Sequence, residues 1–124
     1  MTQYTDSLRG YSYPIHKRDG FICQYCGLNG RRSLEAWLNL SLDHLLPPKH
    51  PDREDPKYMV TACKFCNSAD NLYFKHAKKR GIRFDGLSRN QLVKQRLEFV
   101  RKTREKYEEF WINSVKKKST NNCT

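Results

Sequence analysis

The sequence lacks any apolar stretch long enough to cross a membrane. No run approaches the ~18 apolar residues that a spanning helix needs, and hydrophobic residues make up only 37% of the 124 positions. The first twenty residues contain no apolar core of the length found in secretion signals, and they carry Asp6. We therefore expect a cytoplasmic protein that works in a reducing environment.

Acidic side chains are scarce relative to basic ones. The chain has 24 Lys and Arg against 13 Asp and Glu, a formal net charge of +11, and the positive charge is spread along the sequence. This balance favours a polyanionic partner, nucleic acid above all. A basic surface without a specific partner and attachment to a membrane surface are the alternatives.

The length of the chain predicts a single domain over residues 1–124. A chain this short buries little apolar surface, so a structural metal would help it to fold. Alternating apolar residues predict a strand at 38–43, and the β-rich stretch 58–62 predicts the returning strand after a proline-rich loop. A helix is predicted from Asn67 to Gly81. These elements indicate a small α+β fold.

A long, basic, amphipathic helix is predicted over residues 88–118, with its regular part at about 89–117. Ser88 followed by Gln91 is a capping-box pattern at its start. An apolar stripe along it is expected to pack on the rest of the protein, and a dimer seam is the second interpretation. The stripe comprises Val93, Leu97, Val100, Tyr107, Trp111 and Val115.

Four of the five cysteines form two pairs with the same spacing. Cys23 and Cys26 lie in FICQYCG, and Cys63 and Cys66 lie in ACKFCN. Two such pairs, well separated along the chain, are typical of a structural zinc site with four thiolate ligands. A redox pair and an iron site are alternatives with less support, and the remaining cysteine, Cys123, is predicted to be a free thiol.

Three polar residues stand near the cysteines in a pattern that suggests chemistry. Asp43 and His44 lie between the two pairs, and Asn67 follows Cys66 directly. Carboxylate and amide oxygens suit Mg²⁺ or Mn²⁺, and a neutral imidazole can accept a proton from water. Together with a basic surface they suggest phosphodiester hydrolysis. The plainer interpretations are a solvated carboxylate, a polar residue at a strand end and a helix cap.

Residues 17–72 resemble the HNH (ββα-metal) endonucleases in their four-cysteine version, on the segments KRDGFICQYCG, LDH and VTACKFCN. The resemblance implies a zinc-stapled, treble-clef-like ββα-metal core, which we place at 17–81, and a DNA substrate. It also implies His44 as general base and Asp43 and Asn67 as ligands of a catalytic Mg²⁺ or Mn²⁺.

The chain departs from the pattern of this family at two positions. Tyr58 stands where the family usually has an asparagine that orients the histidine, and Asp70 stands where it often has a lysine. We count Tyr58, Asp70 and also His50, in the proline loop, as accessory candidates. The departures leave a second interpretation open, a non-catalytic zinc module that binds nucleic acid.

Basic residues cluster after the predicted metal-binding region. We expect some of them to contact the DNA backbone, although a helix face solvated and paired with glutamates is the plainer interpretation. The first group is Lys75, Lys78, Lys79, Arg80 and Arg83. The row continues along the long helix with Arg89, Lys94, Arg96, Arg101, Lys102 and Arg104.

Overall fold

A computed structural model of the protein describes residues 12–116. The predictions about Cys123 and about the end of the last helix at residue 118 lie outside this range. The helices and strands are α1 (Tyr13–Arg18), α2 (Leu34–Leu38), β1 (Leu40–His44), β2 (Met59–Cys63), α3 (Lys64–Arg80) and α4 (Arg89–Phe110). The predicted α+β class, with a small sheet and a long C-terminal helix, is confirmed.

The two strands form an antiparallel hairpin across the proline-rich loop. Leu40 pairs with Cys63 at one end, and His44 pairs with Met59 at the other. β1 begins two residues later than predicted because Leu38 ends α2, whose first turn is capped by the Ser33 side chain. β2 is buried along its whole length and contacts both α1 and α3. The hairpin therefore forms the centre of the fold.

Helix α3 begins earlier than the sequence predicts. Its N-cap is Cys63, whose Sγ accepts a hydrogen bond from the backbone N–H of Cys66, so the second cysteine pair lies on the first turn of the helix. Asn67 lies within the helix rather than at its cap, and the interpretation of Asn67 as a cap is wrong. Gly81, with φ of 67°, ends the helix as predicted.

Helix α4 packs against α3, and its first half supplies the buried residues. The capping box of Ser88 and Gln91 is confirmed. The residues that it buries are Leu92, Arg96 and Val100, spaced by four, so two of the three lie off the predicted stripe. At the far end of the stripe Trp111 and Val115 are exposed, and Tyr107 is exposed although its ring packs edge-on against Phe65 of α3. Residues 111–116 continue α4 as a short π-helical segment.

The core consists of two apolar clusters that α4 links. One surrounds the cysteines and includes Val100, and the other includes Leu45, Val60 and Leu92. Helix α4 therefore holds the cysteine-bearing segments and the hairpin together. None of the helices between residues 12 and 116 is long and apolar enough to cross a membrane.

Candidate functional site

The structure brings Cys23, Cys26, Cys63 and Cys66 together in one cluster. Their four Sγ atoms all lie within 4.8 Å of one another, and none of the four thiols is in a disulfide. A tetrahedral zinc ion with Zn–S bonds of ~2.3 Å requires sulfur atoms roughly 3.8 Å apart. Sγ of Cys26 and Sγ of Cys63 lie 3.8 Å apart, so the cluster fits zinc.

Each cysteine pair is a tight turn closed by the same bond. The backbone N–H of Cys26 donates to Sγ of Cys23, and that of Cys66 donates to Sγ of Cys63, both at 3.4 Å. Gly27 follows the first turn with φ of 82°, a conformation that favours glycine. Local sequence alone therefore builds both halves of the cluster.

Within the cluster the thiolate form is favoured at Cys23, whereas the neighbouring sulfurs raise the pKa values of Cys63 and Cys66. Hydrogen bonds from Cys26, Cys63 and Cys66 push the pKa of Cys23 far below its ordinary range, although burial opposes this shift. Negative charge on buried sulfur favours a bound cation. Four thiol ligands complete a tetrahedral shell and leave no open position for a substrate. A zinc ion in this cluster would be structural.

Strand β1 places Asp43 and His44 on opposite faces of the hairpin, because neighbouring side chains alternate along a strand. Asp43 is 0% exposed and points into the interior. The side chain of His44 is 20% exposed and lies beside the proline-rich loop. The two residues therefore have different surroundings despite their adjacency in sequence.

Asp43 lies in a buried polar group between the first cysteine turn and α3. The hydroxyl of Tyr25 donates to its Oδ2 at 2.8 Å. Burial first, and then the nearby Asp70 carboxyl, hold the pKa of Asp43 well above its usual range. Its Oδ1 has no hydrogen-bond partner in the described part of the chain. One carboxylate oxygen of Asp43 is thus buried without a hydrogen-bond donor from the described residues.

Asp70 forms an ion pair with Arg96 of α4. Nε of Arg96 lies 3.0 Å from Oδ1 of Asp70, and both side chains are fully buried. The guanidinium also donates to the carbonyl of Leu45 at 2.8 Å, and its carbon lies 5.2–5.5 Å from the centroids of three aromatic rings, those of Tyr73, Phe74 and Phe84. Counting Arg96 among the DNA contacts was therefore wrong, because its guanidinium is buried and forms an ion pair with Asp70 inside the protein.

His44 is paired with Glu54 of the proline-rich loop. Nε2 of His44 lies 3.3 Å from Oε1 of Glu54, and the Glu54 side chain is 70% exposed. Tyr58, which stands at the family's orienting position, instead packs beside Leu45 and Leu46, and its carbonyl accepts from the Leu45 N–H. The His44 imidazole is therefore positioned by the Glu54 carboxylate and not by Tyr58.

Asn67 links α3 to β1. Its Nδ2 donates to Oγ of Ser41 at 3.0 Å and to the carbonyl of Leu42 at 3.1 Å. Because the amide nitrogen faces β1, the amide oxygen remains available as a ligand. Asn67 thus lies beside the strand that carries Asp43 and His44.

The other histidines have structural partners. Nε2 of His50 lies 3.0 Å from Oδ1 of Asp85, and its Nδ1 accepts the N–H of Asp52. Nδ1 of His16 lies 2.7 Å from Oγ1 of Thr61, and the ring of His76 packs on Tyr73 and Phe99. His50 links the proline-rich loop to the segment between α3 and α4.

Exposed basic side chains lie on the second half of α3 and directly after it. Lys75, Lys78, Lys79, Arg80 and Arg83 are all exposed. Arg89, at the start of α4, forms an ion pair within the protein, since its Nη2 donates to Oδ1 of Asp19 at 2.6 Å. Asp19 also pairs with its neighbour Arg18, whose Nε lies 3.1 Å from Oδ1 of Asp19.

Sequence reasoning missed three residues that contact Asp43, His44 or Asp70. Arg96 was counted among the basic residues that could contact DNA, and no role in the site was predicted for Glu54 or Tyr25. Tyr25 had a usable signal, since a tyrosine between two zinc cysteines lies on the turn that faces β1. Glu54 and Arg96 had none, because their partners lie 10 and 26 residues away with no local pattern to connect them.

Residues 23–71 match the family model described as HNH endonuclease. The matched segment contains all four clustered cysteines, Asp43, His44, Asn67 and Asp70. The match confirms the resemblance predicted from the sequence and relates this part of the chain to nucleases. Comparison with curated proteins found no match, and comparison with solved structures found none either.

Proposed function

Residues 23–71 carry the HNH endonuclease match, and from it we propose that the protein is a metal-dependent DNA endonuclease. The observation that supports this most is the environment of His44. It lies within the matched segment, is partly exposed, and has Nε2 3.3 Å from the carboxylate of Glu54. An imidazole held by a carboxylate and open to solvent suits general-base catalysis.

Asp43 and Asn67 would hold the Mg²⁺ or Mn²⁺ ion. The unpartnered Oδ1 of Asp43 and the available amide oxygen of Asn67 are hard oxygen ligands of the kind that both ions take. When bound, the ion supplies positive charge that stabilises the scissile phosphate and the leaving oxygen.

His44 would accept the proton of the attacking water, and Glu54 would hold the imidazole in position. Glu54 accepts a hydrogen bond from Nε2–H, so Nδ1 of His44 carries the free lone pair. Nδ1 takes a proton from the water as its oxygen bonds to phosphorus. The bond from phosphorus to the 3′ oxygen breaks, and that oxygen takes a proton from solvent. The products are 5′-phosphate and 3′-hydroxyl ends, as the family resemblance implies.

Duplex DNA is the substrate that the charge of the surface favours. Exposed cations follow Asn67 along α3, with Lys75 and Lys78 eight and eleven residues further on. These spacings place both lysines near the same face of the helix as Asn67. A strand whose phosphate reached the site could therefore continue along these lysines.

Cutting both strands would need two catalytic centres, because one His44 serves one strand. We propose that a homodimer supplies them through the exposed end of α4, where Tyr107, Phe110 and Trp111 are 62%, 63% and 47% exposed. Large exposed apolar patches commonly mark interaction sites. A sequence-specific enzyme of the restriction or mobile-element type would use such a dimer.

The complete burial of Asp43 favours a second candidate function. With 0% exposure and a hydrogen bond from Tyr25, Asp43 has no surface that faces DNA. In this alternative the chain is a non-catalytic zinc module that binds nucleic acid. It would bind DNA without cutting it, and changes at Asp43 and Asn67 would leave DNA affinity unchanged.

Cleavage of supercoiled plasmid distinguishes these candidates. The zinc-loaded protein is incubated with Mg²⁺, with Mn²⁺ or without added ion, and its zinc content is measured afterwards so that zinc loss is not mistaken for a missing catalytic ion. The nuclease proposal predicts nicked or linear products only with added ion, and discrete fragments if cutting is sequence-specific. A retained gel shift with intact plasmid under every condition would support the binding module.

A further inference from the structure

Two carboxyl groups meet in the interior between β1 and α3. Asp43 and Asp70 are each 0% exposed, and the Asp70 carboxyl is close enough to help raise the pKa of Asp43. Two ionised carboxylates at this separation repel strongly in a poorly solvated site. Such a pair requires either a shared proton or a cation.

The surrounding side chains do not neutralise the pair. Arg96 contributes one positive charge against the two carboxylates, and Tyr25 contributes only a neutral hydroxyl donor. One negative charge is therefore unbalanced when both acids are ionised. Oδ1 of Asp43 is also buried without a hydrogen-bond partner among residues 12–116. An unpaired buried charge is costly, so the pair either keeps a proton or binds a cation that displaces the proton.

We propose that Asp70 binds the divalent cation together with Asp43, and that Arg96 of α4 holds Asp70 in position. This inference rests on the proposed function and adds a ligand to it. Asn67 and Asp70 are three residues apart in α3, so one turn of that helix presents both on one side. One turn of α3 would thus supply two oxygen ligands, and β1 would supply the third.

The inference makes α4 part of the ion site. Arg96 is fixed by the carbonyl of Leu45 and by aromatic rings from α3 and the segment after it. Its guanidinium therefore has little freedom to move, and it aligns the Asp70 carboxylate. The lysine that often occupies position 70 in the resembling family would place positive charge beside Asp43. Here the position is acidic, and the balancing charge comes from a separate helix.

Calorimetric titration with Mn²⁺ tests the inference without any measurement of activity. The probe is Mn²⁺ added to zinc-loaded protein in the absence of DNA. Asp70→Asn keeps the side-chain shape and removes the charge, so we expect Mn²⁺ affinity to fall by at least the ~10-fold that changes around metal ligands produce. Asp43→Asn should cause a similar loss. Asp85→Asn is the matched control at an exposed position, and it should bind Mn²⁺ like the parent.

The outcomes separate this inference from the proposed function. Parent-like Mn²⁺ affinity in Asp70→Asn, with weakened binding in Asp43→Asn, would overturn the role of Asp70 and leave the nuclease proposal intact. No Mn²⁺ binding by the parent would overturn both the added ligand and the ion site on which it rests.

Arg96→Lys provides a second test if Asp70→Asn fails to retain zinc. This change keeps the positive charge but removes the planar guanidinium that contacts both Asp70 and the Leu45 carbonyl. We expect Mn²⁺ affinity to fall about 10-fold, as for other outer partners of metal ligands. Parent-like affinity in this variant would overturn the positioning role of Arg96.

Discussion

The cysteine cluster and the carboxylate pair are two polar centres on the same hairpin, and they differ in completeness. The cluster gathers four thiols within 4.8 Å, which is a full shell for zinc. The pair of Asp43 and Asp70 has one guanidinium beside Asp70, and Oδ1 of Asp43 has neither a hydrogen bond nor an ion pair in the part of the chain that the structure describes. The first centre fits a structural ion, and the second has capacity for a further ligand.

The two centres also differ in how the chain builds them. Each half of the cluster is a turn of four residues, closed by its own backbone-to-sulfur bond. The carboxylate pair needs β1, α3, α4 and the first cysteine turn together, because Asp43, Asp70, Arg96 and Tyr25 come from different segments. A closed centre built locally can staple the fold, whereas the second centre depends on the fold being complete.

Loss of the cluster should have the largest effect. We expect Cys63→Ser to lose zinc and to be unfolded at 25 °C, because structural zinc contributes about 10–16 kcal/mol in small zinc domains and whole domains are stable by only about 5–15 kcal/mol. Far-UV circular dichroism and zinc content are the measurements. Cys123→Ser is the matched control and should keep both. A Cys63→Ser protein with parent-like melting would show that the fold does not depend on the cluster.

Loss of the guanidinium beside the carboxylate pair should have the next largest effect. Arg96→Met leaves Asp70 buried without its cation, and removing one partner of a buried pair costs about 3–5 kcal/mol. Urea unfolding gives the free energy directly. Arg101→Met removes an exposed partner of Glu98 and Glu105 instead, and it should cost under about 1 kcal/mol. Equal losses in the two variants would contradict the difference in burial on which the comparison rests.

Loss of the partner of His44 should have a moderate effect on cleavage. A hydrogen bond to a charged group contributes about 1.5 kcal/mol, so Glu54→Ala should slow cleavage roughly tenfold. Glu54→Gln keeps an acceptor for Nε2–H and should be slowed less. Single-turnover cleavage rates measure both changes. Identical rates for Glu54→Ala and the parent would exclude Glu54 from positioning His44.

Loss of one exposed lysine should have the smallest effect. Lys75→Ala should reduce the slope of log affinity against log salt by about one, the contribution of one phosphate contact. Gel-shift titrations at several salt concentrations measure this slope. Lys102→Ala is the control, because Nζ of Lys102 lies 3.4 Å from Glu98. A larger change in slope for Lys102→Ala than for Lys75→Ala would indicate that DNA contacts α4 rather than α3.

The predictable parts of the molecule were those encoded by neighbours in sequence. The cysteine turns, the capping box of α4, the stop at Gly81 and the two separate strands follow from residues a few positions apart. The start of α3 was missed because Cys63 caps the helix through its sulfur, a role that the cap rules assign to oxygen-bearing side chains.

The contacts that sequence could not predict join distant segments. Arg96 fits a solvent-facing pattern in sequence, yet the rings of Tyr73 and Phe84 and the carboxylate of Asp70 make its burial favourable. Alternation along β1 could have placed Asp43 and His44 on opposite faces, but it gives no information about Glu54. Tertiary packing alone decides which carboxylate each of these residues meets.

Plasmid cleavage by His44→Ala and His50→Ala tests the central claim most directly. Both histidines have side chains of similar exposure, 20% and 17%, and both have Nε2 paired with a carboxylate. The proposed mechanism predicts that His44→Ala loses about 10²–10⁴-fold in cleavage rate, the usual contribution of a general base. It should keep its zinc and its DNA affinity, while His50→Ala cleaves at close to the parent rate. A folded, zinc-loaded His44→Ala protein that cleaves like the parent would contradict the proposed function.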